Sequence, residues 1–182
     1  MRKWITVILL FSIYTASSVA AEGKKTIEFK PIKITAHTYY VQGMPGAVSV
    51  KNQGFMSNAG FVVTNDGVVV FDTLGTPVLA RKLVDAIAKI TKQPIKRVII
   101  SHYHADHIYG LQVFKALGAE IWAHKAGEEY LGTDEAQLRL EQRRELLKPW
   151  VNQNTQLISA DKWLAGDSSF EMGRTNMTQF KM

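Results

Sequence analysis

Apolar and polar positions change period several times along the chain. Ile32, Ile34 and Ala36 alternate with polar partners, and Thr38-Tyr39-Tyr40-Val41 is rich in strand formers, so Ile27 to Val41 predicts β-strands. Gly43, Pro45 and Gly46 break the pattern, and the stretch to Ser57, with Met44, Gly54 and Phe55, predicts a loop or loose hairpin. Two apolar runs follow, Gly60 to Thr64 and Val68 to Phe71. Asn65-Asp66-Gly67 between them tolerates positive φ and predicts a tight hairpin.

Beyond Phe71 the period lengthens. Pro77 suits the first turn of a helix, and Leu79, Leu83, Ala86, Ile87 and Ile90 recur at three- and four-residue spacing, so a helix is expected until Thr91 to Pro94 ends it. Ile95 to Ser101 predicts a short strand, Ile108 to Leu117 a helix closed by Gly118, and Glu120 to Ala123 a further strand. Thr133 is placed to cap a charged helix from Asp134 to Lys148, which Pro149 stops. Ala165 to Ser168 predicts a turn joining Trp163-Leu164 to Phe170-Glu171-Met172 as a hairpin. Arg174 to Met182 has no periodicity and reads as an irregular tail, such as a truncated or frameshifted reading frame would leave. Strands first, then alternating helices and strands, make this an α/β (α+β) chain.

Composition narrows the class. Of 182 residues, 46% are hydrophobic and 21% charged, which excludes a disordered or collagen-like chain. The net charge of +6 is scattered rather than clustered, so no nucleic-acid surface is expected. Arg2 and Lys3, an apolar run from Trp4 to Tyr14, and Ser18-Val19-Ala20-Ala21 have the layout of a signal peptide over residues 1–21. That run is shorter than the roughly 20 apolar residues a bilayer span needs. The expectation is an exported protein, periplasmic or secreted and not inserted in a membrane, with one domain over 22–173. Cysteine is absent, which removes disulfides, thiolate metal sites and cysteine nucleophiles.

The chemistry gathers in Ser101-His102-Tyr103-His104-Ala105-Asp106-His107, which holds three of the five histidines and a carboxylate. In an extended loop, residues two apart point the same way, so His102, His104 and Asp106 can converge while His107 opens the next helix and returns toward them. Imidazole and carboxylate are the usual zinc ligands where thiolates are missing, and an open zinc site lowers the pKa of its bound water to about 7. One or two zinc ions are therefore the expected cofactor.

His-x-His-x-Asp-His after an apolar strand resembles the signature of the metallo-β-lactamase-fold hydrolases. Asn58-Ala59-Gly60-Phe61 and Val70-Phe71-Asp72 are similar to that family's preceding hairpin. Within the family the chain most resembles exported zinc metallohydrolases of the quinoprotein-relay type. The resemblance implies the N-terminal half or more of an αββα sandwich. By motif position it implies His102 and His104 as ligands of a first zinc, and Asp106 and His107 of a second. Asp106 would also act in catalysis by orienting the nucleophile, and Asp72 would hold the loop from behind. The family completes its site with a third histidine, a bridging aspartate and a Gly-His-Gly turn. After His107 only His124 and the pair Gly166-Asp167 remain, and neither takes those places.

The expected function is thus a zinc-dependent hydrolase acting on an ester, lactam, thioester or related small molecule, this chain being a truncated form of low or no activity. The alternative is a non-catalytic fragment or binding module of the same fold. An incomplete sandwich would bare a sheet face, which makes a homodimer one expected outcome. His37 and His124 read as surface or core residues. Glu135 with Arg139, and Glu141 with Arg144, read as solvated helix pairs rather than an anion site.

Overall fold

A computed structural model of the chain describes residues 27–173 and the backbone of 175–180. The leader expected over 1–21 lies outside the described residues, as do the side chains of the tail from Arg174 on.

Short strands β1 (Ile32–Lys33) and β2 (Thr38–Val41) open the chain, followed by the hairpin β3 (Ala59–Val63) and β4 (Val68–Phe71). Helix α1 (Pro77–Ile90) and strand β5 (Ile95–Ile100) come next, then two short helices α2 (Ala105–Ile108) and α3 (Leu111–Ala116). Strand β6 (Glu120–His124), helices α4 (Ala126–Leu131) and α5 (Asp134–Leu146), and strands β7 (Lys162–Leu164), β8 (Ser168–Met172) and β9 (Thr175–Phe180) complete it. Strands β1 to β7 form one sheet in sequence order. Pairing is antiparallel through β4, then parallel between β4, β5, β6 and β7. This mixed sheet has the α/β character expected from the sequence.

Alternation along the central strands separates two apolar layers. Val68 and Val70 of β4, Val98 and Ile100 of β5, and Ile121 and Ala123 of β6 pack with Leu79, Leu83 and Ile87 of α1, Leu111 and Phe114 of α3, and Leu140 of α5. The opposite face, carrying Val69, Ile99 and Trp122, packs with Leu164, Met172 and Phe170. Helices therefore cover one face of the sheet, and β8 covers part of the other. Arg97 clasps that second layer: its guanidinium lies 3.8 Å from the Trp122 ring centre and 4.5 Å from that of Phe170.

Three expectations change. The helix expected over Ile108–Leu117 is two pieces, because Gly110 presses its backbone against the segment after β4. A Cβ at Gly110 would stand 2.0 Å from the Thr73 carbonyl oxygen, so packing rather than periodicity breaks the helix. The hairpin expected between Trp163 and Met172 does not form. Strand β7 pairs in parallel with β6, while β8 pairs with the backbone of β9, where no regular element was expected. Helix α4 was not anticipated: it buries no residue and so leaves no apolar stripe in the sequence.

Candidate metal centre

The sheet delivers two loops side by side, since β4 and β5 are parallel neighbours and their carboxyl ends lie together. After β4, Asp72 and Leu74 adopt left-handed backbone with φ of 61° and 68°, which turns the chain sharply into α1. Thr76 caps that helix by accepting from the Leu79 N–H at 3.2 Å. After β5, Ser101 leads into the histidine run, and α2 begins at Ala105, so Asp106 and His107 stand on the first turn of a helix.

Backbone bonds clamp the two loops. The Thr73 N–H and its Oγ1 both donate to the His107 carbonyl at 2.8 Å, and Gly110 N–H donates to the Leu74 carbonyl at 3.2 Å. Ser57 Oγ donates to the Asp106 carbonyl from a third segment. Gly75 lies so close that a Cβ there would be 3.3 Å from Asp106 Cα. The dipeptides around Ser57, Thr73 and Gly75 carry no motif in sequence; only their meeting in space exposes their role.

Asp72 is the hub of the side-chain network. Its Oδ1 accepts from Ser101 N–H at 2.9 Å, Ser101 Oγ donates to Oδ2 at 2.8 Å, and His107 Nδ1 stands 2.8 Å from Oδ2. Ser101 Oγ also lies 3.0 Å from His102 Nδ1. Burial alone would hold the His107 imidazole below its ordinary pKa, but the hydrogen bond and charge of Asp72, with Asp106, outweigh it and raise the value. His102 moves the other way: burial and the neighbouring His107 and His104 lower it against the pull of the two carboxylates.

All four residues singled out in the run are brought together, as two pairs. His102 Nε2 and His104 Nδ1 face each other at 3.0 Å. His107 Nε2 and Asp106 Oδ2 stand 3.5 Å apart, and the His102 and His107 rings lie 4.1 Å centre to centre. With zinc–ligand bonds of about 2.0–2.2 Å, two ligands on adjacent corners of a tetrahedron are about 3.3–3.5 Å apart. The Asp106–His107 pair has the span of one tetrahedral edge, whereas His102 and His104 stand at hydrogen-bond distance and would open by about 0.3 Å to hold an ion. The bond between Asp72 and His107 Nδ1 also leaves Nε2 as the ring nitrogen facing Asp106. Imidazole nitrogens and a carboxylate are donors of the kind zinc takes, two in each pair. Among the described residues no three such side chains are arranged around a single ion.

A cavity of about 420 Å³ opens beside the first pair, lined by His102, His104, Tyr103, Tyr130 and residues of α4 and α5. His124 also lines it and accepts from Ala126 N–H at 3.2 Å, so a residue read as bland in sequence belongs to the cavity wall. Tyr103 packs against Trp163 with the rings tilted and their centres 5.6 Å apart, and burial pushes its hydroxyl pKa up.

Residues 52–176 match the sequence profile of the Metallo-beta-lactamase superfamily. The chain belongs to this superfamily. It is 28% identical over 134 residues to metallo-beta-lactamase IND-1 of Chryseobacterium indologenes, covering 74% of this chain and 54% of the relative. Identity to a metallo-beta-lactamase type 2 of Bacillus cereus is 32% over 136 residues, covering 66% of this chain and 52% of the relative. The chain spans about half the length of the curated relatives it matches. The fold agrees with the solved metallo-beta-lactamase of Pontibacter korlensis at a TM-score of 0.61 and 16% identity, over 82% of this chain and 58% of that one. A subclass B3 metallo-beta-lactamase of Bradyrhizobium japonicum gives a TM-score of 0.56 at 20% identity, over 87% and 54% of the two chains. These superfamily relatives agree with the fold expected from the histidine motif, a mixed α/β structure covering about half of those chains.

Proposed function

We propose that this chain carries the metal-binding loop of a zinc-dependent hydrolase that acts on a small molecule with a labile carbonyl group, an ester, lactam or thioester. The observation that carries the proposal is the pairing of donors: His102 Nε2 with His104 Nδ1 at 3.0 Å, and Asp106 with a His107 whose far nitrogen is bonded to Asp72. Zinc bound there would supply Lewis acidity and an activated water at neutral pH. The residues do the rest. His102 and His104 would hold one ion, Asp106 and His107 a second. Asp106, on the first turn of α2, orients the attacking group toward the substrate carbonyl. Asp72 holds His107 in one tautomer, and the bonds from Thr73 and Ser57 keep the helix start from drifting.

The matched relatives are named for β-lactams, which supports a lactam among the candidate substrates. Export, to the periplasm or beyond, is part of the proposal and rests on the pattern of residues 1–21. Among the described residues no helix is long and apolar enough to cross a membrane. A second reading, a non-catalytic fragment or binding module of the same fold, is favoured because among the described residues no three such donors group together.

Turnover of a panel of nitrophenyl esters, a thioester and a chromogenic lactam, with added zinc and after chelation, decides between them. The hydrolase reading expects chelator-sensitive turnover that Asp106→Ala removes. No turnover on any substrate class, with zinc bound weakly or not at all, would leave the fragment or module reading.

A further inference from the structure

The wall of the cavity facing His102 and His104 carries one guanidinium. Arg139 of α5 lines the space together with Glu135, one helical turn earlier, and Tyr130 of α4. In sequence the two charges look like an ordinary solvated pair. In the fold they line the same cavity as His102 and His104. Arg139 Nη2 donates to Glu135 Oε1 at 3.0 Å, while its Nε is shut off from solvent and has no hydrogen-bond partner. A guanidinium presents five donors in a flat fork that matches a carboxylate; Glu135 accepts through one oxygen and Tyr130 is a further hydrogen-bonding neighbour, so neither takes the fork in the paired geometry a second carboxylate could adopt. The rest of the lining suits an apolar body: the rings of Tyr103 and Tyr130, Ala126, and Gly127, which packs tightly against the Tyr103 ring.

We infer that Arg139 is the recognition residue for the carboxylate of an amphipathic small-molecule acid that lies in this cavity with its other end toward His102 and His104, and that Glu135 competes with that carboxylate and limits its affinity. This rests on the hydrolase reading for what happens to the ligand, but the binding itself needs no metal. A second carboxylate offered to Arg139 must displace Glu135 or share the fork with it. Removing the glutamate charge therefore strengthens acid binding, whereas removing the arginine charge abolishes the preference for an acid.

The test uses the full chain freed of metal, with phenylacetate and its neutral counterpart phenylacetamide as probes, followed by chemical shifts of α4 and α5 at low salt. The wild type is expected to bind phenylacetate about threefold more tightly than the amide, as befits a half-exposed charge contact. Glu135→Gln should widen that preference by about twofold to fivefold, and Arg139→Gln should bring it to unity. Arg139→Lys keeps the charge without the fork and should fall between. Glu135 is 66% exposed, so its variant does not risk the fold and tests the inference even where the arginine variants are unstable. Equal binding of acid and amide by the wild type, no binding of either at concentrations on the order of 10 mM, or a preference unchanged by Glu135→Gln would overturn the inference. Zinc titration of the same samples is read separately. Loss of zinc binding with the acid preference intact would sink the hydrolase reading and leave this one.

Discussion

The two walls of the site are built on opposite principles. On one side, residues 72–76 and 101–110 interlock: Asp72 makes bonds to Ser101 and His107, Thr73 ties to the His107 carbonyl, and Gly110 fits where no side chain would. On the other side, α4 buries no residue, α5 buries Ala136 and Leu140 alone, and the polar contacts are exposed pairs such as Glu135–Arg139. The first wall holds donor atoms at fixed spacing, which metal chemistry demands. The second faces the cavity with side chains free to adapt, as suits a surface that chooses a ligand. Their difference predicts that equal-sized substitutions cost much more on the first wall than on the second.

The sharpest break is Gly110→Ala. One methyl group would meet the Thr73 carbonyl oxygen at 2.0 Å and Ala80 Cβ at 2.6 Å, so the two loops must separate. A loss of about 3 kcal/mol in urea unfolding is expected, together with weakened zinc binding. Next is Asp72→Asn, which keeps the size of the side chain but not its charge at Ser101 and His107. Zinc affinity should fall roughly tenfold to a hundredfold by calorimetric titration, with the far-ultraviolet spectrum unchanged. Thr76→Ala removes the cap of α1 behind the metal loop and should cost about 1 kcal/mol in the same unfolding assay. Smallest is Glu135→Ala on the opposite wall, where an exposed pair should change stability by less than about 0.5 kcal/mol. A large effect there would erase the contrast between the walls.

Legibility in the sequence divides along the same line. Elements with strong local signals were readable: α1, opened by Pro77 and running to Ile90, and the β3–β4 hairpin around Asn65-Asp66-Gly67. So was the histidine run, because its donor side chains are neighbours in the chain. Asp72 could be named only through family resemblance, since 35 residues separate it from His107. Ser57, Thr73 and Gly110 were invisible because their roles come from backbone contacts between distant segments. The second wall was missed for a different reason. Helix α4 has no apolar stripe and α5 is heavily charged, so neither His124 nor Arg139 looked different from a solvated residue until the cavity placed them. The mistaken hairpin at Trp163–Met172 shows the same limit: a turn signal at Ala165–Ser168 reports that the chain bends, not which strand it will pair with.

Central to this account is that His102, His104, Asp106 and His107 form a metal site. Zinc titration of the full chain by calorimetry, wild type beside His104→Ala, addresses it most directly. The account predicts saturable, chelator-reversible binding in the wild type that the substitution removes at the His102–His104 pair. Zinc uptake of the same affinity and stoichiometry in His104→Ala would contradict it.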